Sequence, residues 1–205
     1  SVAERNFRPH VNCVNITPDQ KYLCAVDLGV DQVKIYKFNY ETGKITLMDM
    51  LRCEQESAPR IIKFSPDGRF AYLICELKNY ISVYSYKDGP RGPIFELVQT
   101  ISTLNDYHSK GSAACVLRFS RDWNYVLCSN AGDNSIGIFK VDHETGMLEK
   151  ICILPISGDY PKAADFFPDN RHIMSLNHET NTMTIFKINY EKKYFSMWGK
   201  PLKVE

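Results

Sequence analysis

"KFSPDGRFAYLICE", residues 63–76, decides the fold of this chain, because the same phrase is written four times. The other copies are "NITPDQKYLCAVDL" (15–28), "RFSRDWNYVLCSNA" (118–131) and "DFFPDNRHIMSLNH" (165–178). Anchored on the turn aspartates Asp19, Asp67, Asp122 and Asp169, the steps are 48, 55 and 47 residues. A repeat of that length holding several short strands is the mark of a propeller blade or a similar array.

Every copy reads alike. A short apolar strand ("CVNIT", "RIIKFS", "CVLRFS", "AADFF") leads to a polar turn whose Asp can bond nearby backbone amides. A strand rich in aromatic and aliphatic residues follows, then a short turn. Next comes an alternating strand ("QVKIYKFN", "YISVYSYK", "SIGIFKVD", "TMTIFKIN"). Gly-bearing tips, "YETGK" and "HETGM", turn the chain into outer strands such as "ITLMDML" and "LEKICIL". The pattern predicts an all-β propeller with four blades of four antiparallel strands and almost no helix. We expect one propeller region over residues 1–205, with units near 10–57, 58–111, 112–159 and 160–205. "SVAERNFRP" and "LNDYHSKGS" carry the least pattern. The second is read as the exposed loop that lengthens the middle step.

Bulk properties narrow the function classes. The net charge is +1, so no global field steers the protein to nucleic acid or to an anionic membrane. No apolar run approaches the ~18–20 residues that span a bilayer. The seven cysteines are odd in number, lack CxxC spacing and sit mostly in apolar runs, so they read as buried thiols of a cytoplasmic protein. No Gly-rich phosphate loop, no metal-ligand cluster and no GxSxG elbow is present. Neither a cofactor nor a metal is expected, and a covalent mechanism has no support.

Function in a repeat fold belongs where equivalent positions differ in chemistry. One such column follows the second strand: Asp27-Leu28, Cys75-Glu76, Asn130-Ala131, Asn177-His178. Another lies six residues before the turn Pro: Asn12, Arg60 and Lys162, with Ser112-Ala113-Ala114 set against them in the third copy. Arg60 sits in a Pro-restricted turn before an apolar strand, where a guanidinium can hold a phosphate or carboxylate on two donors. Pairing with a carboxylate of a neighbouring blade is the alternative. Glu76 closes the apolar run "YLICEL" and suits a general base, or else a salt bridge. Lys162 repeats the Pro-cation pattern of Pro59-Arg60. His178 offers an acid, a base or a ligand, and His10 and Asn12 lie in "RPHVNCVN" with their register open.

Taken together, "TPDQKYLCAVDLGVDQVKIYKF", "SAPRIIKFSPDGRFAYLICEL", "VQTISTL", "VLCSNAGDNSIGIFKVDHETGML" and "SGDYPKAADFFPDN" resemble the seven-bladed propeller lactonases. That family includes propeller-type 6-phosphogluconolactonase and carboxy-muconate cyclase. The stretches keep the family's order over nearly the whole chain. The resemblance implies an active site built from an early His, the Arg of a Gly-Pro-Arg-His-like motif, the Glu of an Asn-Glu-Leu-like motif and the Arg of a Ser-Asn-Arg-like motif. Arg60 and Glu76 match the middle two; at the first the register allows His10, or Asn12 with the His lost. Ala131 stands in place of the last Arg, and Lys162 in place of the Arg of a later Pro-Arg motif.

Hydrolysis of a sugar lactone such as 6-phosphogluconolactone is thus the expected activity, with Glu76, Arg60 and His10 catalytic. Lys162, His178, Asn12 and Asn130 are expected to bind substrate. A muconate-type cycloisomerase on the same scaffold is the first alternative. A non-catalytic propeller that binds a partner or an acidic metabolite is the second. Seven blades need roughly 350 residues. The chain is therefore expected to be part of a longer protein, or to associate with another copy through exposed blade faces.

Overall fold

The computed structural model describes residues 8–105 and 111–204, so most of "SVAERNFRP" and the centre of "LNDYHSKGS" lie outside the described residues. Two compact units divide between Thr100 and Ile101. The described residues hold no helix. Each unit contains two antiparallel meanders, so the predicted four blades of four strands are found.

In the first unit, blade 1 pairs β1 (Val11–Ile16), β2 (Tyr22–Asp27), β3 (Gln32–Phe38) and β4 (Ile45–Arg52) in chain order. Blade 2 does the same with β5 (Pro59–Phe64), β6 (Phe70–Cys75), β7 (Tyr80–Gly89) and β8 (Gly92–Ser102). In the second unit, blade 3 holds β9 (Ala114–Phe119), β10 (Tyr125–Asn130), β11 (Ser135–Val141) and β12 (Leu148–Pro155). Blade 4 holds β13 (Pro161–Phe166), β14 (His172–Asn177), β15 (Thr182–Asn189) and β16 (Tyr194–Met197). A further strand, β17 (Leu202–Lys203), pairs with the start of β15. The outer position of blade 4 is therefore filled by two short strands, interrupted where Gly199 takes a φ of +82°.

The second strands of blades 1, 2 and 3 are covered on both faces, with all six residues of β6 buried, whereas β14 of blade 4 leaves Leu176 exposed. The alternation of β3 appears as buried Val33 and Ile35 between more accessible neighbours. Between blades 1 and 2, Val26, Val33 and Ile35 pack with Ile62, Phe64 and Leu73. Between blades 3 and 4, Leu127, Ile136 and Ile138 pack with Ile173, Phe186 and Ile188. Five cysteines are buried, and burial pushes the thiols of Cys24 and Cys128 up to about 12, which makes them packing groups rather than nucleophiles.

The repeated turn is a hydrogen-bonded lock. Thr17, Ser65 and Ser120 each donate their hydroxyl to the turn aspartate two residues on, all at 2.6 Å. Asp19, Asp67, Asp122 and Asp169 each accept the backbone amide of the residue two further on. The residue between, Gln20, Gly68, Trp123 or Asn170, has φ of 60°, 73°, 60° or 56°. One left-handed residue closes each turn, and the Asp side chain stabilises that conformation. Phe167 replaces the hydroxyl residue in blade 4, and there the His172 ring meets the Asp169 carboxylate at 2.6 Å instead.

Burial works to raise the Asp67 pKa, but hydrogen bonds from Ser65 and Arg69 outweigh it and bring the group down to about 2 from 3.8. A carboxylate depressed in the folded state adds stability above its unfolded pKa and loses it as pH falls through the folded one. The urea midpoint should therefore fall between about pH 4 and about pH 2. It should fall less in Asp67→Asn. An identical decline in both proteins would assign acid sensitivity to other groups.

Candidate functional site

Each first strand carries a β-bulge next to its start. The register slips between Val11 and Cys13, between Pro59 and Ile61, and between Pro161 and Ala163. In blade 3 it slips opposite Ser129 and Asn130, between Ala114 and Val116. The residues passed over are Asn12, Arg60, Lys162 and Cys115. A bulge leaves one residue out of the ladder and re-aims its side chain. The second candidate column is thus a set of bulge positions. Its third member is Cys115, and not Ser112-Ala113-Ala114 as the sequence reading has it. The extra residues of the long step precede the blade and do not displace its strands.

The amides of Leu28, Glu76, Ala131 and His178 donate to the carbonyls of His10, Ala58, Ala113 and Tyr160. This bond brings the two columns together at one end of every blade. The slots read Asn12 with Leu28, Arg60 with Glu76, Cys115 with Ala131, and Lys162 with His178.

In blade 2 the slot holds a charge pair. The Arg60 guanidinium donates through Nη1 to Glu76 Oε2, within the same blade rather than to a neighbouring one. The Glu76 side chain is 1% exposed and that of Arg60 27%. A carboxylate so buried needs its partner, since an isolated charge in this setting is costly. Asn12 of blade 1 donates from Nδ2 to the Arg60 carbonyl at 3.2 Å. Burial also pushes the nearby Tyr80 hydroxyl up, which keeps it a neutral donor.

The chain is bent into this slot by an acid on the preceding blade. Asp31 accepts the amides of Glu56 and Ala58 through its two carboxylate oxygens, both at 2.8 Å. Ala58 has φ +53° directly before Pro59, a conformation that L residues adopt at a cost of about 1–2 kcal/mol. The second unit repeats the device. Asn134 Oδ1 accepts the Tyr160 amide at 2.7 Å, and Tyr160 has φ +61° before Pro161.

The slot of blade 4 is open and cationic. The ammonium of Lys162 stands 5.5 Å from the centre of the Tyr160 ring. His178 is 6.2 Å from the same ring, edge-on, and its Nδ1 lies 3.3 Å from Glu179 Oε1. His10 is exposed at the start of blade 1, with its backbone amide on Asp27 Oδ1 at 2.7 Å. Asn12, not His10, therefore shares Arg60's register. Asn130 is fully buried and donates to the Thr103 carbonyl at 2.8 Å and to Ser135 Oγ at 3.0 Å, so it presents no surface to a ligand. Among the described residues no group of three or more His, Cys, Asp or Glu is arranged to hold a metal ion. No helix among them is long and apolar enough to cross a membrane.

The profile of the family described as "Lactonase, 7-bladed beta-propeller" matches residues 1–205. The chain is 28% identical over 188 residues to the 6-phosphogluconolactonase of Bacillus subtilis, covering 92% of this chain and 53% of that protein. It is 35% identical over 178 residues to an uncharacterized Lactococcus lactis protein, covering 86% of this chain and 51% of that one. The solved structure of the Pseudomonas aeruginosa periplasmic gluconolactonase superposes with a TM-score of 0.86 at 27% identity, covering 96% of this chain and 55% of that one. The chain spans about half the length of the curated relatives it matches. With its repeated blades and a family match along all of its residues, it belongs to the seven-bladed β-propeller lactonases.

Proposed function

We propose that the protein hydrolyses a sugar lactone, with 6-phosphogluconolactone as the substrate type, in the reducing compartment its cysteine content implies. The observation that carries this reading is the Arg60–Glu76 pair: a buried carboxylate fixed beside a partly exposed guanidinium, in a family of lactonases. Glu76 accepts a proton from water as the water oxygen bonds to the lactone carbonyl carbon. The tetrahedral anion collapses, the ring C–O bond breaks, and the leaving alkoxide takes the proton back. Arg60 meets the developing oxyanion or the substrate phosphate from its exposed side. His10, at the start of the same unit, assists proton transfer. By itself, the second unit offers the Lys162 ammonium and the His178 ring of blade 4 as binding groups for an anionic ligand.

One observation favours the binding reading. Among the described residues, blade 2 alone has a carboxylate at the position that follows the second strand; Leu28 and Ala131 stand there in blades 1 and 3, both buried, and His178 in blade 4. A propeller that holds an acidic metabolite without turnover needs the cations and not the base.

Turnover of 6-phosphogluconolactone and of unphosphorylated gluconolactone, measured beside a carboxymuconate substrate, separates the readings. Glu76→Gln should lower kcat about 100-fold or more, the usual range for loss of a general base. Arg60→Ala should raise KM more for the phosphorylated lactone than for gluconolactone. Hydrolysis at the spontaneous rate by the unaltered protein would leave the binding reading standing, and turnover of the muconate alone would favour the cycloisomerase.

The pair also has a stability signature. Arg60→Ala should cost about 2–4 kcal/mol in urea unfolding, because it removes the cation beside the buried Glu76 carboxylate. Adding Glu76→Gln to that variant should recover a large part of the loss. Purely additive losses would show that the two side chains do not act on each other.

A further inference from the structure

We propose that the first unit carries a second ligand site, at the opposite end of its blades from the Arg60–Glu76 pair, for a phosphate monoester with a planar ring. The six-residue run of β1 separates the two ends by about 20 Å.

The site is a groove of about 500 Å³ between the tip of blade 1 and the β7–β8 hairpin of blade 2. That volume lies within the ordinary range for small-molecule sites, about 300–1,000 Å³. Lys21, Lys37 and Arg91 line it against one acid, Asp88. Asp88 is already engaged: Lys21 Nζ lies 2.5 Å from its Oδ2, and the Tyr22 hydroxyl donates to its Oδ1 at 2.8 Å. Those two hydrogen bonds hold the Asp88 carboxyl below the usual range. Lys37 acts on Asp88 only as a more distant charge, and Arg91 makes no ion pair among the described residues. Among the lining side chains the balance is thus two positive charges, with Asp19 acting on Lys21 from outside the lining. A phosphate monoester carries about −1.5 to −2 at neutral pH, and a guanidinium can hold it on two donors. Phe38 and Tyr40 supply the ring surface: they meet edge-on at 4.8 Å, and Tyr40 is 64% exposed. An exposed aromatic face is a platform for a second ring.

The groove exists because blade 2 breaks the repeat. In the second unit the residues equivalent to Tyr22 and Asp88 are Tyr125 and Tyr190. Their rings stack at 3.7 Å and close the corresponding seam, with the Tyr190 hydroxyl on the Asn170 carbonyl at 2.6 Å. In the first unit a carboxylate replaces that ring. The β7–β8 hairpin also runs to ten and eleven residues around Pro90 and Arg91, past the point where the other hairpins turn. A fold that needs only packing would keep the tyrosine.

Titration of the protein with phenyl phosphate, followed by calorimetry, tests the site independently of any lactone hydrolysis. Binding should weaken at least tenfold in Arg91→Ala, in Lys37→Ala and in Tyr40→Ala, and stay within twofold in Glu76→Gln. Inorganic phosphate should bind at least tenfold more weakly than phenyl phosphate. The proposal is overturned by any of three results: no binding of phenyl phosphate, binding unchanged in Arg91→Ala, or equal binding of inorganic phosphate. Loss of binding in Glu76→Gln would also overturn it, by moving the ligand to the other end of the blades.

Discussion

Asp31 holds the Glu56 and Ala58 amides on its two carboxylate oxygens, and the geometry of the candidate site in the first unit hangs on that grip. Ala58 would not adopt a left-handed backbone unaided, and Pro59 forbids the simplest escape into a helical turn. With the backbone locked there, the bulge that follows sends Arg60 to the carboxylate of Glu76 rather than into the sheet. Asn134 performs the same task before Tyr160 and Lys162 in the second unit. Within each unit, a polar side chain at the end of the first blade's inner turn thereby fixes the first residues of the second blade.

Within the slot, electrostatics and packing act together. Glu76 lies almost wholly out of water, and the Arg60 guanidinium beside it offsets the cost of burying its charge. The guanidinium, in turn, keeps part of its surface in contact with solvent, where a substrate anion can reach it. The pair is therefore both a structural tie within blade 2 and a site at which charge can be exchanged with a ligand. The slots of blades 1 and 3, lined by Leu28 and Ala131, keep the backbone but none of the charge.

The fold was legible because its instructions are local. A turn Asp that accepts the amide two residues on specifies a lock, with a Ser or Thr before it in three copies and Phe167 in the fourth, and alternation specifies a strand, so four copies spelled four blades. The two columns were legible one by one, but their pairing within a blade was not: the sequence offered Arg60 a carboxylate of a neighbouring blade, and the structure gives it Glu76 of its own. What the letters concealed was register within the first strand. A bulge displaces one residue without changing composition, so Cys115 was passed over in favour of the neighbouring Ser112-Ala113-Ala114. Asn130 read as a loop-end ligand, but the end of β10 is interior, and its amide serves the Thr103 carbonyl. The groove beside Asp88 is hard to read from sequence because its walls come from hairpins about fifty residues apart; its trace is "YKDGPRGP" where blades 1 and 3 carry a short Gly tip.

The bulge has a consequence for how such a protein can change over time. A residue outside the ladder contributes little to strand pairing, so its identity is set by what its side chain meets in the slot and not by the sheet. Four interchangeable sockets sit on an unchanging frame, and here they already hold an amide, a guanidinium, a thiol and an amine. Selection can try new chemistry at one socket while the other three, and the frame itself, stay as they were.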